Sequence, residues 1–349
     1  MEIADLATAI EWQASHCEKS GAPITARIVR AELALQKLPT ATARRLREWP
    51  GLSLEDALPL RVAGGVHWLH LAGQDARLAP IYAAEVTDQR AVDAIVAAVA
   101  SEHDAVLEPW LDGPPQTNEA GRSASFMAGL LWLAQRTAPR FEMNELGASA
   151  GVNTMIERYH CDLGGVTVGP ADSPMKLRPV WRGDPPPAGS PAIVAIRGCD
   201  AAPVDLADPA QALRLKAYVW ADAPERLARI DAAAALARLS PPDLVRCDAA
   251  AFVAERLAAP QESGVTRVIY HSIVWQYLPP ATRAAIALAI ESAAARATEA
   301  RPLAWLALET NRATFRHELT VRSWPGPGEA ATLCNAHPHG AWINWHPHK

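Results

Sequence analysis

Apolar residues recur at two different periods along the chain, and the change of period divides it. Up to about residue 110 the spacing is helical: Ile3, Leu6, Ala7, Ile10 and Ala14, then Ile24, Ile28, Ala31 and Leu35. Ala91 to Ala100 repeats that period, and Pro39, Pro50-Gly51, Pro59 and Gly64-Gly65 punctuate the segments. The pattern predicts an all-helical N-terminal domain over residues 1–110. The Gly-Pro-Pro connector between Leu111 and Gln116 marks the boundary.

Residues 111–349 change character. An apolar helix is expected around Phe126–Ala134, with Thr117 or Asn118 as its cap and Glu119 at its positive end. Phe141–Leu146 has strand length, and Thr154–Tyr159 reads as a helix after a glycine-bearing turn. The stretch 162–190 is loop-like, with Val166–Val168 and Leu177–Trp181 expected to pair as an inserted hairpin. Strand patterns follow at 192–196, 243–248, 265–274, 303–308, 319–324 and 341–345. Helical patterns lie between them at 210–238 (broken near Pro224), 249–258 and 281–297. Strands separated by helices imply an α/β domain whose mostly parallel sheet carries helices on both faces.

Composition narrows the function classes. Of 349 residues half are hydrophobic, and the net charge is −5 with no basic block, which argues against a nucleic-acid footprint. The acidic start lacks the basic region of a signal peptide, and apolar runs are interrupted before a membrane-spanning length. Cys17, Cys161, Cys199, Cys247 and Cys334 are scattered with no CxxC pair, which fits a reducing cytoplasm. The expected partner is a small molecule. Oligomeric state is not legible.

Candidate chemistry gathers where strands end. In such sheets ligands bind beyond the carboxyl ends, where strand order reverses. Those ends carry Glu145, Asp200, Asp248, His271 and Glu309. Between Glu145 and Asn153 the chain reads Glu-Leu-Gly-Ala-Ser-Ala-Gly-Val-Asn, a turn whose amides can face a polar ligand. Gly147 would permit the bend and Gly151 the close packing of the next segment. Arg122, in the first turn of its helix, opposes the helix dipole, which suggests another duty. Glu142 and Asn144 are polar for a strand buried on both faces.

The strand-end pattern resembles class I S-adenosylmethionine-dependent methyltransferases, whose Rossmann-like sheet binds the cofactor at its carboxyl edge. By that resemblance Glu145, Gly147, Ala148, Ser149, Gly151 and Asn153 belong to the first turn, Asp200 to the ribose hydroxyls, and Asp248-Ala249 to the adenine. A ribose acid lies about 20 residues past the glycine turn in a minimal unit. Here it lies roughly fifty away, and the 162–190 insertion accounts for the difference. Ser149 stands where that turn usually has its middle glycine.

More narrowly, the chain is identified as similar to the bacterial domain of unknown function 2332 family. The similarity rests on Gln-Thr-Asn-Glu-x-x-Arg at 116–122, the turn at 145–153, Arg197-Gly-Cys-Asp200, Trp220 with Asp222, and His271-Ser272 with Tyr277-Leu278. The family implies the methyltransferase-like sheet behind a helical domain, without a reaction. The resulting expectation is S-adenosylmethionine binding and methyl transfer to a small molecule. Asn118, Glu119 and Arg122 would face a substrate or cofactor carboxylate, and His271 would act as base.

Two other readings stay open. Gly147-Ala-Ser149-Ala-Gly151 also satisfies the Gly-x-Ser-x-Gly elbow of serine hydrolases, with Ser149 as nucleophile, Asp200 or Asp248, and His271 or His317. Alternatively the domain is a binding module without chemistry. No metal is expected: His67 and His70 lack a third ligand nearby, and the His-Pro-His units at 337–339 and 346–348 match no zinc spacing. Trp220, Trp275 and Trp305 suit either a ligand stack or the core.

Overall fold

The computed structural model describes residues 5–53 and 56–346, which leaves Ile3 and His348 outside the described residues. The chain divides into two compact units, residues 1–117 with 208–230, and residues 118–207 with 231–349. The helical unit is therefore discontinuous in sequence.

The chain opens with α1 (Leu6–Lys19), α2 (Pro23–Leu35), α3 (Ala41–Arg47), α4 (Leu58–Leu71), α5 (Ala79–Tyr82), α6 (Gln89–Glu102) and α7 (Asp104–Leu107). Asp5, Thr40 and Asp88 cap α1, α3 and α6 by accepting backbone N–H groups of the first turn. Ile10, Ile28, Leu35, Leu58, Leu69, Val92, Val96 and Val99 are buried in one core, as their spacing predicts. Two further pieces follow the helix α8 (Ser123–Leu133): α9 (Pro209–Ala217) and the beginning of α10 (Pro224–Leu239). In the first unit, Asp222 accepts from the N–H groups of Ile24 and Thr25 at 2.8 Å, capping α2. His67 bonds the Ala217 carbonyl at 3.0 Å and stacks on Tyr82. Burial pushes this histidine down to about 4, so His67 is a packed neutral ring.

The second unit is built on a nine-stranded sheet. Its strands are β1 (Arg140–Leu146), β5 (Val180–Arg182), β6 (Ala192–Asp200), β7 (Leu244–Arg246), β8 (Thr266–Ser272), β9 (Leu303–Asn311), β10 (Arg316–Trp324), β11 (Ala331–Ala336) and β12 (Trp342–Trp345). Their order is β5-β12-β11-β10-β9-β8-β1-β6-β7. From β9 through β8, β1 and β6 to β7 every pairing is parallel. β9 to β12 form an antiparallel meander, and β12 pairs with β5 in parallel.

Side-chain alternation shows which helices cover which face. Tyr270 of β8 meets Phe126 of α8 edge to face at 5.1 Å. Its neighbour Ile269 shares a core with Phe252 of α11 (Ala249–Ala258) and with Ile286 and Ile290 of α12 (Pro280–Ala294). Helices thus lie on both faces, and every residue of α8 is buried. No described helix is long and apolar enough to cross a membrane.

The expected pairing of Val166–Val168 with Leu177–Trp181 is corrected. Within a separate three-stranded sheet, β3 (Val166–Val168) pairs with β2 (His160–Leu163), which β4 (Lys176–Leu177) flanks on its other side. The stretch Val180–Arg182 goes to the large sheet instead. Neighbours in sequence won the pairing: Gly164 and Gly165, both at positive φ, make the tight turn between β2 and β3.

The polarity of β1 has a structural cause. Glu142 pairs with Arg256 of α11 at 2.7 Å and with Arg267 of β8 at 3.0 Å. Asn144 accepts from Arg256 at 2.8 Å and donates to the Val268 carbonyl at 3.3 Å. Two buried polar side chains are tolerated because each has partners.

Candidate functional site at the carboxyl edge of the sheet

β1 leads into the turn at Gly147, whose φ is +63°, and a Cβ there would collide with the Val274 side chain. Gly151 is at +72°, and a Cβ would press on Pro242 at 3.0 Å. Gly198 on β6 is equally constrained, because a Cβ would lie 2.6 Å from that of Ala148. Its lack of a side chain lets the turn settle against β6, with the Ala148 N–H on the Cys199 carbonyl at 2.9 Å. Between the glycines, Ser149 is itself left-handed at +52°.

The next segment starts earlier and winds more tightly than its sequence suggests. The helix expected over Thr154–Tyr159 is present as a seven-residue 3-10 helix, Val152–Arg158, kinked at Met155. Tight 3-10 geometry suits a short piece pinned at both ends.

From Ala148 to Val152 every amide of the turn is engaged by the protein. The Ser149 N–H donates to Asp200 Oδ2 at 2.8 Å, and those of Ala150 and Val152 donate to Asn118 Oδ1, each at 3.1 Å. The Gly151 N–H closes on the Ala148 carbonyl at 2.7 Å. Asn118 and Asp200 thus hold the turn from two sides. The second oxygen of Asp200 takes the Ala202 N–H at 2.8 Å, and each oxygen keeps a further acceptor position. Asp248 caps α11 through Oδ1, accepting from Ala250 and Ala251, and begins that helix beside Ala249.

Beneath the turn lies a buried polar cluster. Glu145 is 1 % exposed and receives Asn153 Nδ2 at 3.4 Å and the Tyr270 hydroxyl at 3.3 Å. Burial pushes its carboxyl up to about 8. Asn153 in turn accepts from Ser123 Oγ at 2.8 Å. Of the 116–122 motif, Glu119 accepts the Gly121 N–H, and Arg122 reaches the Ser272 carbonyl at 3.2 Å and the Pro338 carbonyl at 2.9 Å. Gly121 is required, since a Cβ there would meet the His339 carbonyl at 2.8 Å.

His271 stands further along the same edge. Its Nδ1 is 2.7 Å from Glu309 Oε1, and its Nε2 accepts from Trp305 Nε1 at 3.0 Å. An indole N–H can only donate, so Nε2 is unprotonated and Nδ1 carries the proton toward Glu309. Both nitrogens are committed; action as a base would require release of Trp305. His317 is bonded to Thr310 at 3.0 Å, and the buried Ser149 hydroxyl has no partner among the described residues. No imidazole therefore bonds the serine of the Gly-x-Ser-x-Gly turn.

Sequence reasoning brought Asn118, Glu145, Ser149, Asn153 and Asp200 to one place, and they meet there. It named Gly198 only within Arg197-Gly-Cys-Asp200, without its steric role, and missed Val274 and Pro242, which also shape the turn. Among the described residues no group of three or more His, Cys, Asp or Glu could hold a metal ion.

A family model described as an uncharacterized protein conserved in bacteria, domain of unknown function 2332, matches residues 7–345. The chain belongs to that family. The domain 2332 match spans both units, so the discontinuous helical unit is part of the family's extent. No curated protein and no solved structure matches the chain.

Proposed function

We propose that the crevice at the carboxyl ends of β1, β6 and β7 binds a nucleoside-bearing cofactor of the S-adenosylmethionine class, for methyl transfer to a small molecule. One observation carries this reading. The first strand of the parallel set, β1, lies where strand order reverses, and moving outward from it the strand ends carry the Gly147–Gly151 turn, Asp200 and Asp248 in that order. That is the sequence of groups the methyltransferase resemblance implies for methionine, ribose and adenine.

The residues present suit the cofactor in part. Asp200 is held by two backbone N–H groups and retains acceptor positions for a vicinal diol, and Asp248 keeps Oδ2 for an adenine amine. The turn amides are occupied by Asn118 and Asp200, so in this reading side chains, not open amides, would recognise the ligand. When bound, the cofactor would supply an electrophilic methyl group, and the chain's contribution would be alignment.

The second reading is a binding module without chemistry, favoured by the two commitments of His271. The hydrolase reading lacks a base on Ser149. Calorimetry with S-adenosylmethionine and S-adenosylhomocysteine tests the proposal: about micromolar binding, lost in Asp248→Ala and Asp200→Asn, supports it. No heat with either compound on the folded protein would sink it.

A further inference from the structure

Beside the crevice, on the helix-α12 face of the sheet, a cavity of about 240 Å³ is lined by His271, Trp275, Trp305, Glu309, Thr320 and Arg322. Its walls are aromatic. The Trp275 and Trp305 ring centroids lie 5.6 Å apart with planes at 56°, and His271 stacks on Trp275 at 5.0 Å.

Several polar atoms of these walls are already used. Trp305 Nε1 donates to His271, and His271 Nδ1 donates to Glu309, which leaves the Trp305 and His271 rings no free donor. The hydroxyl of Thr320 donates to the Ala307 carbonyl at 3.4 Å. Arg322 is matched by Glu291 at 2.6 Å and by the Gly328 carbonyl at 2.6 Å.

Glu309 is different. Its Oε1 accepts three N–H groups, from His271 Nδ1 (2.7 Å), Val274 (3.1 Å) and Trp275 (3.2 Å). Three donors on one oxygen fix the orientation of the carboxylate. Its Oε2 is bonded by no described residue. The lining thus holds one carboxylate, Glu309, with a side open beside the indoles, and one guanidinium, Arg322, which is engaged by Glu291 and lies 5.9 Å from the Trp305 ring centroid.

We propose that this cavity is a binding site for a small organic cation, an amine or methylated ammonium ion. The charge would lie against Glu309 Oε2 and the alkyl groups against the Trp275 and Trp305 faces. Indole faces attract cations, the more so when desolvated. A volume below the roughly 300–1,000 Å³ of drug-sized pockets suits a compact ligand. The site does not depend on what occupies the crevice at β1.

Tryptophan-fluorescence titration with choline and with its uncharged isostere 3,3-dimethylbutanol tests the assignment on the full chain. Saturable quenching by choline, at least tenfold tighter than by the alcohol, is expected. Glu309→Gln retains an Oε1 acceptor and should weaken choline at least tenfold while leaving the alcohol unchanged. Trp275→Leu should weaken both probes. Equal affinity for choline and the alcohol would reassign the cavity to uncharged rings, and no choline binding, or full binding in Glu309→Gln, would overturn the site.

Discussion

The Asp200 carboxylate accepts the Ser149 backbone N–H at 2.8 Å, across 51 positions of sequence, and so holds a non-glycine residue at φ +52°. A left-handed conformation costs a side-chain-bearing residue roughly 1–2 kcal/mol, and the buried, unbonded Ser149 hydroxyl adds to that. Ser149→Gly should therefore stabilise the protein by about 1 kcal/mol after the extra entropy of the unfolded glycine is subtracted. Urea unfolding measures it. A loss of stability would mean that the hydroxyl has a partner.

Gly147 carries the opposite expectation. Alanine there must adopt φ +63° and displace the Val274 side chain, so Gly147→Ala should cost at least about 2 kcal/mol. Combining it with Val274→Ala should recover the steric part and leave the backbone part. A double variant no more stable than additivity predicts would remove Val274 from the argument.

Stability should fall as pH rises through the range set by Glu145. Its folded value is raised to about 8, against about 4.3 for a free glutamate, so between these limits the unfolded chain binds fewer protons than the folded one. The stabilisation is complete below about pH 4 and lost on the way to about 8, with a total on the order of a few kcal/mol. Glu145→Gln, which keeps an acceptor for Tyr270, should match the wild type near pH 4 and exceed it at pH 8. Parallel stability-versus-pH curves for the two proteins would contradict this.

Breaking the pair beneath β1 should be among the costliest changes. Arg267 is 3 % exposed and meets Glu142 through both Nε and Nη2, at 3.1 Å and 3.0 Å. Glu142→Ala strands that charge, at about 3–5 kcal/mol. Arg256→Ala, whose guanidinium is more exposed, should cost less. Thermal melts of the two variants order them.

How legible this was depended on distance along the chain. β1 and β8 are legible as short, almost wholly buried runs bounded by polar turns, and α12 by the one face that Ile286 and Ile290 bury. The bends at Gly147 and Gly151 were readable because only a few residue types tolerate positive φ. What satisfied them was not: Asn118 reaches the turn from 32 positions before Ala150, and Asp200 from 51 after Ser149. Glu142 and Asn144 looked misplaced in a buried strand for the same reason, since Arg256 and Arg267 lie more than a hundred residues on. Strand β11 was passed over: its four consecutive buried residues, Leu333 to Ala336, show no alternation. The two bonds of His271 were equally hidden, because Trp305 and Glu309 belong to another strand.

The pairing of β5 with β12 sets Trp181 against Ile343, more than 160 positions later. During synthesis at about 5–20 residues per second, the partner of β5 arrives on the order of 10–30 s after it. Until then Val180–Arg182 has no partner in the large sheet, and as its terminal strand it keeps one edge open even afterwards. The run Pro185-Pro-Pro187 follows after Gly183 and Asp184 and cannot donate to a ladder, so it would stop a wrong partner from zipping onward along that edge.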